Sequence, residues 1–194
     1  MSINADNPNH PHIRISPHPN ISTSAHLHIF LLGMMGSGKS YWACLLSAHF
    51  NFINYDLDIL IEESAGKTIA EIFSDNGENY FRQKEKETLH STAHFKSSII
   101  STGGGTPCFF DNMQWMNTNG ITIWIDEDVD TLAARLKTET AKRPLIKNLD
   151  DDELKIFLKK KYDERKPFYE QAQYHLTGEN ISLENFKKII QQYV

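Results

Sequence analysis

His28-Ile29-Phe30-Leu31-Leu32-Gly33-Met34-Met35-Gly36-Ser37-Gly38-Lys39-Ser40 is the stretch that decides the fold. From Gly33 onward it matches G-x-x-x-x-G-K-S/T, the phosphate-binding loop. Its setting is the required one. An apolar, β-prone run, His28 to Leu32, enters the loop, and a helical pattern from Tyr41 to Ala48 leaves it. Glycines let the backbone fold round an anion with its N–H groups pointing inward. The helix N-terminus behind them carries roughly half a positive charge. Gly33, Met35, Gly36, Ser37 and Gly38 are therefore placed around the phosphates. Lys39 can reach the β- and γ-phosphates, and the Ser40 hydroxyl can bind Mg²⁺. The loop implies a nucleoside triphosphate and leaves the fate of the phosphate open.

Bulk properties narrow the class. The chain has 194 residues, enough for one domain with a full core. Its 40% hydrophobic and 23% charged content is that of an ordinary soluble globular protein. A net charge of −5 argues against a nucleic-acid binder, which is normally basic, but local arginines can still hold an anionic small molecule. Cys44 and Cys108 have no metal-ligand spacing, and Cys44 is expected on the packed face of the helix after the loop. Two reduced thiols suit a cytoplasmic enzyme. No stretch is apolar and long enough to span a membrane, and residues 1–25 lack the apolar region of a secretory signal.

Residues 1–26 differ from the rest. They hold Pro8, Pro11, Pro17 and Pro19 among Asn, Ser and irregularly spaced histidines, with no period of 2 or 3.6, and read as a disordered tail. The irregular spacing of His10, His12, His18 and His26 argues against a metal site. Residues 27–194 then form a single domain. Strands are expected at 27–32, 52–55, 98–101, 121–125 and 173–177. Helices are expected at 38–49, 57–65, 68–76, 78–95, 111–119, 128–138, 150–167 and 182–192. Alternating strands and helices imply an α/β fold with a parallel sheet covered on both faces. Ligands in such sheets bind at the carboxyl ends of the strands, so the motifs that follow strands converge on one edge.

Several later segments could carry chemistry there. Asp56 and Asp58 sit at i, i+2 after the second strand, so one carboxylate can face a metal and the other an acceptor. A kinase needs both, an outer-sphere Mg²⁺ ligand and a base for the attacking hydroxyl. The same pair could serve as helix caps, and the two roles are compatible. Arg82 and Glu85 share a helical face at i, i+3. They can form a surface ion pair, or Glu85 can steady Arg82 against an anionic acceptor. Gly103, Gly104 and Gly105 end the third strand and permit a close backbone approach to a ligand. No acidic residue ends that strand, so metal duty falls to Asp56, through water. Arg143, in a basic segment with Lys137, Lys142 and Lys147, can swing over a triphosphate as a lid at about 137–149, or remain a solvated loop. Arg165 precedes Pro167, which is expected to end its helix, and a favourable contact with the helix C-terminus is its other reading.

Together these motifs resemble the shikimate kinases over about residues 27–193. The phosphate loop is joined by Asp56-Leu57-Asp58 with Glu62 following, and by Gly77-Glu78-Asn79-Tyr80-Phe81-Arg82-Gln83-Lys84-Glu85, which fits G-E-x-x-F-R-x-x-E. The glycine triplet, Arg143-Pro144-Leu145 and Arg165-Lys166-Pro167-Phe168-Tyr169 complete the set in order. The resemblance implies a P-loop NTPase fold of the nucleoside-monophosphate-kinase type, with a five-stranded parallel sheet flanked by helices and a mobile lid. It implies that Asp58, Arg82, Gly104, Gly105 and Arg165 hold shikimate, with Glu85 and Gly103 beside them. Arg82 and Arg165 would take the carboxylate, and Asp58 the hydroxyls. Lys39 and Arg143 would stabilise the transferring phosphoryl, and Arg135 would stack on adenine. Tyr41 stands where the family has a small hydroxyl residue near the α-phosphate, and the arginine often seen after the triplet is lacking at 111–119.

The expected activity is transfer of the γ-phosphoryl group of ATP to the 3-hydroxyl of shikimate, in aromatic amino acid biosynthesis, by a cytoplasmic monomer. Another small-molecule kinase of the same architecture, such as a gluconate kinase, and a nucleotide-binding module without catalysis are the alternatives. Acceptor screening separates the first, and nucleotide binding without turnover would mark the second.

Overall fold

The computed structural model describes residues 26–137, 146 and 149–194. The tail to residue 25, Arg143 and the expected lid between 137 and 149, Ile146 apart, lie outside the described residues. Five strands are present among the described residues: β1 (His28–Leu32), β2 (Ile53–Asp56), β3 (Ser98–Ser101), β4 (Ile121–Asp126) and β5 (Tyr174–Thr177). They alternate with α1 (Lys39–Phe50), α2 (Leu57–Ala65), α3 (Ile69–Ser91), α4 (Asn112–Asn119), α5 (Val129–Lys137), α6 (Asp151–Tyr169) and α7 (Leu183–Ile190). All four strand pairings are parallel, in the order β2-β3-β1-β4-β5.

β1 lies at the centre and is buried along its whole length. Its side chains alternate between two cores, as a pleated strand requires. Ile29 and Leu31 join Ile123, Ile125, Ala43, Leu46, Phe186 and Ile189 under α1 and α7. Phe30 and Leu32 join Trp124, Leu57, Ile61, Phe81, Met113, Leu132, Leu158 and Tyr169 under the other helices. Burying a side chain of this size contributes about 1.5–3 kcal/mol each. The register aligns the strand ends: Asp56 pairs with Ser101, Ser101 with Leu31, and Leu32 with Trp124. The residues that follow these ends therefore meet at one edge.

Three expectations need correction or refinement. Cys44 is exposed rather than packed. The buried face of α1 consists of Ala43, Leu46 and Ser47, and position 44 falls off that stripe. The break expected between residues 76 and 78 is present at Gly77 (φ 79°, ψ 175°), inside α3. Pro167 does not end α6, which runs on to Tyr169. Proline removes only one N–H donor there. The final turn is retained because the Tyr169 ring is buried in the core and its hydroxyl donates to the Gly104 carbonyl at 2.5 Å.

Candidate active site

The phosphate loop joins β1 to α1. Gly38 caps α1 in the left-handed region (φ 88°, ψ 15°), where other residues are strained. Lys39 Nζ folds back over the loop and donates to the Gly33 and Met34 carbonyls, both at 2.9 Å. Ser40 Oγ donates to Asp56 Oδ2 at 3.0 Å. Ser101 Oγ, at the end of β3, donates to the same oxygen at 3.0 Å. The other Asp56 oxygen accepts the Asp58 N–H at 3.0 Å and caps α2. Capping and orientation of a carboxylate towards Ser40 thus coexist in Asp56. A hydroxyl and a carboxylate converging beside a phosphate loop form an oxygen donor set of the kind that suits Mg²⁺.

Beside the loop lies a cleft of about 730 Å³ lined by Tyr41, Trp42 and Arg135 together with Gly178, Glu179 and Ile181. Arg135 Nη1 donates to the Gly36 carbonyl at 3.1 Å, and Nη2 pairs with Glu127 at 2.8 Å. Tyr41 is 65% exposed at the cleft rim, edge-on to Trp42, which leans on Phe186 of α7. The phosphate loop and Arg135 thus border one cleft.

A second cluster of charged side chains surrounds the glycine triplet near Asp58. Each glycine of the triplet faces charged side chains. A Cβ on Gly103 would lie 3.1 Å from Asp58 Oδ1 and from Glu85 Oε1. On Gly104 it would lie 2.8 Å from Arg165 Nη1, and on Gly105 2.9 Å from Arg82 Nη1. Two guanidinium groups thus meet adjacent glycines, and the missing side chains make their room. Arg82 is held from several sides. Glu85 accepts its Nη1 at 2.9 Å, Glu78 accepts its Nε and Nη2, and the Phe109 ring lies 4.0 Å from its Cζ. Glu85 is 1% exposed, and its second oxygen accepts the Thr106 hydroxyl at 2.6 Å. Glu85 is therefore a buried brace for Arg82 rather than a surface partner. Thr68 caps α3, and Glu62 of α2 accepts the N–H of its first residue, Ile69, at 2.8 Å, which ties α2 to the helix carrying Arg82.

Electrostatics distinguishes Asp58. Burial, and then the Asp56 and Glu85 carboxylates, push its carboxyl up to about 6, while Lys39 opposes the rise. Cys108 lies near both arginines, but burial pushes its thiol up to about 11, so it stays protonated. Burial likewise raises the Tyr169 phenol, which keeps its proton for Gly104.

The profile of the shikimate kinase family matches residues 35–194. The chain belongs to that family. A shikimate kinase of Bacteroides fragilis is 44% identical to this kinase over 148 residues, which cover 76% of this chain and 83% of the relative. One from Bacteroides thetaiotaomicron is 41% identical over 155 residues, covering 80% and 89%. The crystal structure of a shikimate kinase from Bacteroides thetaiotaomicron superposes with a TM-score of 0.77 at 39% identity, covering 86% of this chain and 95% of that one. The Acinetobacter baumannii shikimate kinase in complex with shikimate gives a TM-score of 0.75 at 27% identity, covering 87% and 96%. The fold is accordingly that of the P-loop kinases, and the kinase is an ATP-dependent phosphotransferase.

Of the residues expected from sequence, Lys39, Ser40, Asp56, Asp58, Arg82, Glu85, the triplet, Arg135 and Arg165 all lie along one edge of the sheet. Arg143 lies outside the described residues. Sequence reasoning missed Ser101, Thr106 and Phe109. Ser101 occupies the strand end that holds an acidic residue in a Walker B arrangement, and Thr106 directly follows the triplet, so position was the one signal available for both. Phe109 had no local signal, because its stack on Arg82 is tertiary. Among the described residues, no helix is long and apolar enough to cross a membrane.

Proposed function

We propose that this kinase transfers the γ-phosphoryl group of ATP to the 3-hydroxyl of shikimate, giving shikimate 3-phosphate and ADP. The observation that carries the reading is the pair of guanidinium groups on Gly104 and Gly105, with Asp58 next to them and the phosphate loop beyond. Two arginines suit one carboxylate, because planar forks pair bidentately with it. Asp58 is placed to accept the proton of the attacking hydroxyl, and its raised affinity for protons favours that duty. Lys39 exchanges its two carbonyl contacts for phosphate oxygens when the nucleotide binds. Arg143, outside the described residues, would add a second positive charge at the transferring phosphoryl. Ser40 would hold Mg²⁺ directly and Asp56 through water, with Ser101 keeping Asp56 turned towards Ser40. The metal, when bound, offsets charge on the β- and γ-phosphates. Arg135 and Tyr41 line the adenosine side.

A monomer working in a reducing cytoplasm completes the reading, and the two free cysteines suit that compartment. The deciding measurement is ADP release by purified protein with ATP, Mg²⁺ and shikimate. Release no greater than without shikimate would overturn the assignment, and turnover of gluconate instead would move it to the neighbouring kinase class.

Gly105→Ala tests the acceptor side. The added Cβ would lie 2.9–3.2 Å from three guanidinium atoms of Arg82, which Glu78, Glu85 and Phe109 restrain. The shikimate KM should rise roughly tenfold or more, since small displacements of a positioning group are costly, with the ATP KM within about twofold. An unchanged shikimate KM would remove Gly105 from the acceptor site.

A further inference from the structure

Arg82 pairs with two carboxylates of its own helix, and they are unlike. Glu85 is 1% exposed and is fixed at both oxygens, by Arg82 Nη1 and by Thr106. The Glu78 side chain is 56% exposed and lies in the first turn after the break at Gly77. Its Oε1 spans one whole edge of the guanidinium, accepting from Nε at 3.2 Å and Nη2 at 3.0 Å. That edge is one of the two that can pair with a carboxylate through parallel N–H donors. The guanidinium does not depend on Glu78 for its place. Phe109 packs on it at 4.0 Å, Phe81 lies 5.0 Å away, and Glu85 holds Nη1.

An anionic acceptor arriving at Arg82 would bring a third carboxylate to one cation. Like charges at such separations repel, and one must leave. Glu85 cannot leave without stranding a buried charge, whereas Glu78 can turn into solvent. We propose that Glu78 is a placeholder for the acceptor's carboxylate: it covers the Nε–Nη2 edge of Arg82 while the site is empty and is displaced when a carboxylate acceptor binds. This rests on the acceptor reading given above. The placeholder sets specificity, because only a ligand that brings its own carboxylate can replace the pairing it breaks. It also lowers the apparent affinity by the fraction of molecules in which the edge is covered.

The experiment measures shikimate binding by calorimetry without nucleotide, and steady-state kinetics, for the wild type, Glu78→Gln and Glu78→Ala. Both variants should bind shikimate roughly three- to tenfold more tightly and lower its KM equally, with kcat and the ATP KM within about twofold. Glu164→Gln is the control. It removes one negative charge beside Arg165 without touching Arg82, and its shikimate affinity should stay within about twofold of wild type. Weaker or unchanged binding in the Glu78 variants overturns the proposal, as does an equal gain in Glu164→Gln, which would trace the effect to net charge. A wild type that neither binds nor phosphorylates shikimate would instead overturn the acceptor reading itself.

Discussion

Asp58→Asn should lower kcat by roughly 10²- to 10⁴-fold, the range for loss of a general base, while raising the melting temperature of the ligand-free protein at pH 8. The two effects have one origin. Asp58 is half-buried between Asp56 and Glu85, and its carboxyl is pushed up to about 6 from 3.8. The folded state therefore holds the Asp58 proton more tightly than the unfolded chain does. Stability from this group is full below about pH 4, falls as pH rises through 4 to 6, and stays low above that. Discounted for the partial exposure of the group, the cost at pH 8 is on the order of 1–3 kcal/mol. Asparagine never ionises, so the variant escapes it. At about 2–4 °C per kcal/mol for a chain of this size, the gain is several degrees at pH 8 and should shrink towards pH 4.5. Thermal melts in EDTA at both pH values measure it. A kcat loss under tenfold would reduce Asp58 to a positioning role, and an unchanged melting temperature would remove the electrostatic crowding at this site.

The division between what local sequence reveals and what it hides follows from the range of the forces. The phosphate loop was readable because its glycines, Lys39 and the flanking strand and helix act within a dozen residues. The five parallel strands followed from hydrophobic runs alternating with helical patterns. Their order, with β1 between β3 and β4, did not, because pairing partners are chosen by tertiary packing. Asp56, Asp58 and the triplet lie together because residues at strand ends share one edge. Thr106 and Ser101 escaped notice because each acts only through a carboxylate distant in sequence, Glu85 and Asp56 respectively. Pro167 misled for the converse reason: a local rule for ending helices lost to the burial of Tyr169 and its bond to Gly104.

Arg82→Ala should raise the shikimate KM by about a hundredfold or more while leaving the ATP KM within about twofold, since truncating one partner of a buried charge pair costs about 2–5 kcal/mol. The donor side is untouched, because Lys39, Ser40 and Arg135 take their contacts from the phosphate loop, Asp56 and Glu127. A second loss accompanies the first. Glu85 is 1% exposed and would keep only Thr106, so the variant buries an uncompensated charge. Breaking such a pair costs about 3–5 kcal/mol, which corresponds to a melting temperature lower by roughly 6–20 °C. Poor activity in Arg82→Ala alone could therefore reflect unfolding. Arg82→Ala/Glu85→Gln separates the two, because the amide can still accept from Thr106 and carries no charge. The double variant should regain most of the lost thermal stability without regaining shikimate affinity. Recovery of both would show that Arg82 acts on the fold and not on the acceptor. Equal loss of ATP and shikimate affinity in the stable double variant would place Arg82 outside the acceptor half of the site.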